Sequence, residues 1–291
     1  MKLYTLGLYE KSMPNELSFR EKLTYAREAG YDFLEMSIDE TEEKLARLDW
    51  SVEKRASLVQ DMYEAGLPIR TMCLSGHRKY PLGSSEESVR IRGMEIMEKA
   101  INLADDLGIR IIMLAGYDVY YEESSEFTKK MFEMNLRKAV DMAASRSILL
   151  GFETMETEFM NTVGKAMKYV QLMGSDYLGV YPDIGNITNA AKQYKTDVIE
   201  DLKSGSGRLL AMHLKETVPG KFREIPYGSG HVNFEEAIRE AWRLGIRRYV
   251  TEFWYTGGGD WKDELRKANR MMTDILGRHC LLYTSPSPRD A

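Results

Sequence analysis

Short apolar runs alternate with longer amphipathic stretches along almost the whole chain. Eight of these runs have the length of a β-strand, at residues 3–9, 33–38, 69–75, 109–116, 148–155, 178–183, 209–214 and 249–254. The stretches between them carry apolar residues at helical spacing, such as Ile91, Met94, Met97 and Ile101. Strands that alternate with helices predict a parallel sheet.

A glycine separates the end of a helical stretch from the next strand at four places, Gly30, Gly66, Gly108 and Gly245. Glycine adopts the left-handed conformation that commonly ends a helix, so the repeat indicates successive βα units. Eight strands in sequence favour one closed (β/α)8 TIM barrel over an open doubly wound sheet. No G-x-G-x-x-G motif follows the first strand, which weakens the dinucleotide-binding alternative.

The barrel pattern ends at about residue 278, and residues 279–291 differ from it in composition. This segment contains Ser285-Pro286-Ser287-Pro288, which is typical of a disordered tail. It also resembles translated cloning or adapter sequence. We therefore predict a single domain over residues 1–278, and we exclude the tail with Cys280 from functional reasoning.

Composition excludes several classes of protein. The chain has 291 residues, 43% hydrophobic and 29% charged, as expected for a globular protein. A formal net charge of −5 argues against a nucleic-acid-binding surface. Its two cysteines form neither a disulfide framework nor a thiolate metal pattern. No run approaches the ~18 apolar residues of a membrane span, and no signal peptide precedes the first strand, so we expect a cytoplasmic protein.

Four ionisable residues end the last four apolar runs: Glu153, Asp183, His213 and Glu252, at intervals of 30, 30 and 39 residues. An ionisable group at the end of a buried strand is costly unless it is compensated. In a (β/α)8 barrel the carboxyl ends of the strands build one active site. Three carboxylates and one imidazole are suitable ligands for a divalent metal, so these residues predict a metalloenzyme.

Longer segments resemble the L-ribulose-5-phosphate 3-epimerases, also called L-xylulose-5-phosphate 3-epimerases, of the xylose-isomerase-like sugar-phosphate isomerase/epimerase superfamily. The resemblance covers nearly the whole chain, in the segments 6–11, 35–40, 47–51, 72–78, 114–121 and 181–186 and in the strand before Glu252. It implies that Glu153, Asp183, His213 and Glu252 hold one divalent metal ion, Zn²⁺ or Mn²⁺, with Mg²⁺ as a further candidate. Barrels of this family commonly form dimers, so a homodimer is expected.

The resemblance also implies the reaction, which interconverts L-xylulose 5-phosphate and L-ribulose 5-phosphate in the catabolism of L-ascorbate and pentoses. The proton on C3 is acidic because the C2 carbonyl accepts the resulting charge as a cis-enediolate. Inversion requires one acid/base group on each face of C3, and the resemblance assigns this pair to Glu153 and Glu252.

Four further residues are candidates for substrate binding, with a structural or surface role as the alternative. They are His77 and Glu35 near the ends of two early strands, and Glu216 and Arg223 after His213. The turn 227–230 offers backbone N–H groups to a phosphate.

Other functions remain open at this point. A hexulose-6-phosphate isomerase or a 3-epimerase of unphosphorylated ketoses uses similar chemistry, and a sugar-binding barrel without catalysis belongs to a different class. A DNA-repair endonuclease on a related barrel is disfavoured, because it needs more histidine ligands than the four histidines of this chain provide.

Overall fold

A computed structural model describes residues 2–279. Eight β-strands occur in this part of the chain: β1 Thr5–Tyr9, β2 Phe33–Ile38, β3 Ile69–Leu74, β4 Ile111–Ala115, β5 Leu149–Glu153, β6 Leu178–Tyr181, β7 Met212–Leu214 and β8 Arg248–Thr251. Seven of them lie within the apolar runs that predicted a strand, and β8 begins one residue before its run, at Arg248.

The same residues form ten α-helices: α1 Phe19–Glu28, α2 Glu42–Leu45, α3 Val52–Ala65, α4 Glu87–Leu107, α5 Glu126–Ser145, α6 Val163–Met173, α7 Ile184–Tyr194, α8 Val198–Ser204, α9 Phe234–Arg243 and α10 Trp261–His279. The predicted glycine ends are confirmed at α3 and α4, where Gly66 and Gly108 adopt φ angles of 61° and 72°. Both glycine amides donate to carbonyls of the preceding helical turn.

The strands form one parallel sheet in which neighbours along the chain also pair in space. β1 pairs with both β2 and β8, which joins the two ends of the sequence. β6 and β7 meet through two single bridges, Val180 with Leu209 and Asp183 with His213. These contacts close the sheet and confirm the predicted (β/α)8 barrel.

Two apolar layers stabilise the barrel. Inward-facing side chains from different strands fill its interior, among them Phe33, Cys73, Met113 and Val250. Gly7 makes room for this packing, because a Cβ at that position would lie 2.4 Å from the Phe33 ring. The larger layer lies between the strands and the surrounding helices. Burial in both layers removes apolar surface from water, at about 25 cal/mol per Å².

Some predicted boundaries differ from the structure. The run 209–214 shortens to β7 because Leu209 joins the sheet only through its single bridge. The run 249–254 ends at Thr251, after which the chain leaves the sheet and Tyr255 N donates to the Lys11 carbonyl. Ile91, expected on the buried stripe of α4, is 55% exposed.

The predicted limit of the domain at residue 278 stays a prediction. The helix α10 extends to His279, and residues 280–291, which include Cys280 and most of the predicted tail, lie outside the described residues. Among the described helices, none has the length and apolar content needed to cross a membrane.

Candidate active site

The four ionisable residues at the strand ends meet at one mouth of the barrel. Glu153 is the last residue of β5, His213 is the middle residue of β7, and Glu252 directly follows β8. Asp183 lies two residues beyond β6, where its side chain also caps α7 by accepting a hydrogen bond from Asn186 N at 2.7 Å. Each residue offers one ligand atom, and these atoms all lie within 4.8 Å of one another.

The imidazole of His213 lies among the three carboxylates. Its Nδ1 is 3.1 Å from Glu252 Oε2, 3.4 Å from Glu153 Oε1 and 3.9 Å from Asp183 Oδ2. Three of these atoms, His213 Nδ1, Asp183 Oδ2 and Glu252 Oε2, are buried and make charge contacts but no aligned hydrogen bond among the described residues. Buried polar atoms without an aligned hydrogen bond are rare in folded proteins. Their convergence, and the nitrogen and oxygen donors themselves, fit a divalent metal ion.

Burial and mutual repulsion perturb the acids of this group. Burial raises the pKa of Glu153, and the nearby charge of Glu252 raises it further. The pKa of Asp183 is also raised, chiefly by burial. Burial would raise the pKa of Glu252 as well, but Lys215 and His213 outweigh it and hold this pKa well below its usual range. The pKa values of Glu153 and Glu252 are therefore shifted in opposite directions, and Glu153 is the more readily protonated of the two.

Lys215 is part of this site, although the sequence analysis gave it no role. Its Nζ is 2.9 Å from Asp183 Oδ2 and 3.4 Å from Glu252 Oε2, and its side chain is 5% exposed. The ammonium group also lies 5.9 Å from the centre of the Trp254 ring. The signal in the sequence was the two-residue spacing, since alternate residues along a strand face the same side and Lys215 follows His213 by two.

Glu35 lies within β2, as expected, and binds other residues of the barrel. It is fully buried within β2, and its Oε1 is 2.6 Å from Nε2 of His213. Its other oxygen accepts hydrogen bonds from Thr71 Oγ1 at 2.7 Å and from the Tyr181 hydroxyl at 3.0 Å. The predicted contact with sugar hydroxyls stays a prediction, and in the structure both carboxylate oxygens have protein partners and the residue is fully buried.

His77 binds the backbone of a neighbouring helix in the structure. It lies in a short 3-10 turn after β3, is 5% exposed, and its Nε2 is 3.0 Å from the carbonyl of Gly93 in α4. The side chain connects the turn to α4, and its predicted substrate contact stays a prediction. Its neighbour Arg78 is the better candidate, because its guanidinium stacks 4.7 Å from the Tyr120 ring centre and its buried Nε has no partner among the described residues.

Glu216 binds backbone rather than offering its carboxylate to a substrate. Its Oε1 accepts from the amides of Thr217 and Val232, and its Oε2 accepts from the amide of Gly228. Gly230 lies so close that a Cβ there would be 2.2 Å from Glu216 Oε1. The predicted substrate contact of Glu216 stays a prediction. In the expected phosphate-binding turn two amides are already engaged, that of Gly228 with Glu216 and that of Ser229 with the Pro226 carbonyl.

Arg223 is the one predicted substrate residue that lies at the rim with an accessible side chain, 42% exposed. Its Nη2 is 3.2 Å from Glu156 Oε1, which also accepts a hydrogen bond from the Tyr120 hydroxyl at 3.2 Å. Its guanidinium carbon lies 5.6 Å from the centre of the Trp254 ring, beside Lys215. These contacts connect the loops after β4, β5, β7 and β8 around the opening.

Comparison with known proteins agrees with the fold and the site. Residues 23–275 match the model of the xylose isomerase-like TIM barrel family. The L-ribulose-5-phosphate 3-epimerase UlaE of Escherichia coli O139:H28 is 42% identical over 266 residues, which are 90% of this chain and 92% of that protein. The protein of the same name from Salmonella heidelberg is 43% identical over 252 residues, 86% of this chain and 87% of its own.

The chain belongs to the L-ribulose-5-phosphate 3-epimerase family of xylose isomerase-like TIM barrels. This membership confirms the family resemblance stated from the sequence. A solved structure of an L-ribulose 3-epimerase superposes with a TM-score of 0.75, covering 98% of this chain and 100% of the other at 15% identity. At 15% identity the superposition supports the fold alone and does not identify the substrate.

Proposed function

We propose that this protein is a metal-dependent 3-epimerase that interconverts L-xylulose 5-phosphate and L-ribulose 5-phosphate. The observation that carries the proposal is the convergence of Glu153, Asp183, His213 and Glu252 within 4.8 Å at the mouth of a barrel of the epimerase family. The pathway would be L-ascorbate and pentose catabolism in the cytoplasm, and a homodimer is the expected assembly.

Glu153 and Glu252 are the proposed acid/base pair. One carboxylate removes the C3 proton of the ketose, and the C–H electrons form the C2–C3 double bond of a cis-enediolate. The other carboxyl group returns a proton to the opposite face of C3, which inverts the centre. This exchange needs one ionised and one protonated carboxyl, and the opposite pKa shifts of Glu252 and Glu153 support that division.

Glu153, Asp183, His213 and Glu252 are the proposed metal ligands, for one Zn²⁺ or Mn²⁺ ion or, as a third candidate, Mg²⁺. When bound, the ion would polarise the ketose carbonyl and neutralise charge that develops on its oxygen.

We further propose that Arg223 and Arg78 supply positive charge for the substrate phosphate at the rim. Both guanidinium groups stack on aromatic rings around the opening, Arg223 on Trp254 and Arg78 on Tyr120. Arginine recognises phosphate through bidentate hydrogen bonds.

The test is proton exchange in D₂O. Protein supplied with Mg²⁺, Mn²⁺ or Zn²⁺ is incubated with L-xylulose 5-phosphate, the metal is chelated, and the products are identified by proton NMR. We expect L-ribulose 5-phosphate with deuterium at C3. Conversion of only a hexulose 6-phosphate or only an unphosphorylated ketose would replace this proposal with the corresponding alternative.

Substitution of each acid separates catalysis from binding. In Glu153→Gln and Glu252→Gln we expect epimerisation to fall by about 10²- to 10⁴-fold. Each variant should still exchange deuterium into a single epimer, opposite in the two variants, because one base remains. Glu240→Gln, at a buried position in α9, is the control that keeps full activity. A sugar-binding barrel without catalysis would show no exchange in any of these proteins.

A further inference from the structure

A buried chain of hydrogen bonds continues from the proposed metal site into the barrel interior. Thr71 in β3 and Tyr181 in β6 donate to Oε2 of Glu35, at 2.7 and 3.0 Å. Glu35 Oε1 then lies 2.6 Å from Nε2 of His213 in β7. Glu35, Thr71, Tyr181 and His213 are all fully buried.

The direction of these hydrogen bonds determines which ring nitrogen of His213 is available to bind a metal ion. The Glu35 carboxylate accepts two hydroxyl hydrogen bonds on one oxygen, so its other oxygen is the acceptor for an N–H at His213 Nε2. The opposite nitrogen, Nδ1, is the atom that lies 3.1 to 3.4 Å from Glu252 and Glu153. A histidine that binds a metal commonly donates its second ring N–H to a carboxylate, which orients the ring and makes the ligand nitrogen more basic.

The ring of His213 contacts the Tyr181 ring in addition to the Glu35 carboxylate. The Tyr181 ring packs against it with its edge, at 4.9 Å between ring centroids and an interplanar angle of 68°. Tyr181 thus contacts both His213 and the carboxylate that binds it. Rotation of the imidazole by half a turn would put ring carbons in the places of its two nitrogens, which would break the contact between Nε2 and Glu35.

We propose that Glu35 is a positioning residue for His213, which holds Nδ1 as the ligand atom and thereby increases the affinity of the site for a divalent metal ion. The inference rests on the proposed metal site and goes beyond it, because it gives a fully buried glutamate outside the four-residue cluster a role in metal binding. Thr71 and Tyr181 act one step further away, by orienting Glu35.

The experiment measures binding of Mn²⁺ and Zn²⁺ by calorimetry in the full-length protein and in substituted forms. We expect Glu35→Gln, which keeps an acceptor of the same shape, to weaken binding by about 10-fold and Glu35→Ala by about 100-fold. Thr71→Val and Tyr181→Phe should have smaller effects of the same sign. Glu240→Gln serves as the control for loss of a buried carboxylate that contacts none of the four proposed ligands, and its affinity should equal that of the unsubstituted protein.

A second readout reports the tautomer directly. In the Zn²⁺-loaded protein labelled with ¹⁵N, a long-range ¹⁵N–¹H spectrum shows which ring nitrogen of each histidine carries a proton. With four histidines in the chain, His213→Asn assigns the relevant signals. We expect a protonated Nε2 and a metal-bound Nδ1 at His213, and a weakened or exchanging Nε2–H signal in Glu35→Gln.

The outcomes separate this inference from the proposed function. Failure of the unsubstituted protein to bind either ion would overturn the metal site itself. If the unsubstituted protein binds the metal and the affinities of Glu35→Gln and Glu35→Ala lie within about twofold of its affinity, only the role of Glu35 is overturned. Circular dichroism checks that each variant folds, and if Glu35→Ala does not, the isosteric Glu35→Gln decides the question.

Discussion

Lys215 is the positive charge that the protein itself places against the proposed metal ligands. Its ammonium group contacts Asp183 and Glu252 with 5% of its side chain exposed, and those two carboxyl groups are 0% and 6% exposed. Replacing it by methionine keeps a similar chain length and removes the charge. Removal of one partner from a buried ion pair typically costs about 3–5 kcal/mol, because the remaining charge is left uncompensated.

The same substitution should strengthen metal binding. A divalent ion supplies the compensation that Lys215→Met lacks, so the energy lost by the metal-free protein is regained when the ion binds. Since about 1.4 kcal/mol corresponds to a tenfold change, a loss of about 3–5 kcal/mol predicts an affinity for Mn²⁺ that rises by about 10²- to 4 × 10³-fold. Lys215→Arg, which keeps the charge, should change both quantities much less.

Two assays measure these quantities. Urea unfolding in the presence of a chelator gives the free energy of unfolding of the metal-free protein, and calorimetry gives the affinity for Mn²⁺. If the free energy of unfolding of Lys215→Met falls by less than about 1 kcal/mol, or if Mn²⁺ binds more weakly than to the unsubstituted protein, Lys215 is not the counter-charge of these acids.

Three other substitutions test neighbouring parts of the structure. Burial lowers the pKa of His77 to about 4, whereas the pKa of histidine in the unfolded chain is about 6.5, so protonation of the unfolded chain lowers the free energy of unfolding as the pH falls from about 6.5 to 4. In His77→Asn the free energy of unfolding, measured in urea, should fall by up to about 3 kcal/mol less over that range than in the unsubstituted protein. Glu216→Ala should lower the free energy of unfolding by about 1–3 kcal/mol and speed amide exchange at Val232, because it removes an acceptor of three backbone N–H groups; unchanged exchange there would contradict the role of Glu216. The fully buried Glu10 binds Arg47 and two lysines, and these cations outweigh burial and keep its pKa low. Glu10→Gln should lower the free energy of unfolding by about 3–5 kcal/mol in urea, and a loss below about 1 kcal/mol would contradict the role of Glu10 as the counter-charge of these cations.

Much of the architecture follows from local patterns. Apolar runs of strand length recur between amphipathic helices, and glycines such as Gly66 and Gly108 end helices where the pattern expects them. The positions of Glu153, Asp183, His213 and Glu252 are equally accessible from sequence, since the carboxyl ends of parallel strands must meet at one mouth of a closed barrel. The boundaries of β7 and β8 were less accurate, because their ends depend on pairing with β6 and β1.

The roles of individual side chains around that mouth were harder to predict. His77 and Glu216 occur at positions typical of substrate contacts, yet one binds the backbone of α4 and the other binds the loop after β7. Sequence spacing shows which strand end carries a residue and does not show which polar atom its side chain reaches.

Local patterns along the chain therefore predict the barrel, its βα units and the four acidic and imidazole groups at its mouth, because each depends on short-range periodicity and on the parallel arrangement of strands. Only the closed tertiary structure assigns Glu35 to His213, 178 residues away, and Lys215 to Asp183 and Glu252. Differences of a few tenths of an ångström in the distance between two polar atoms decide which hydrogen bonds and ion pairs form in a buried site. Those distances are set only when strands remote in sequence have packed together.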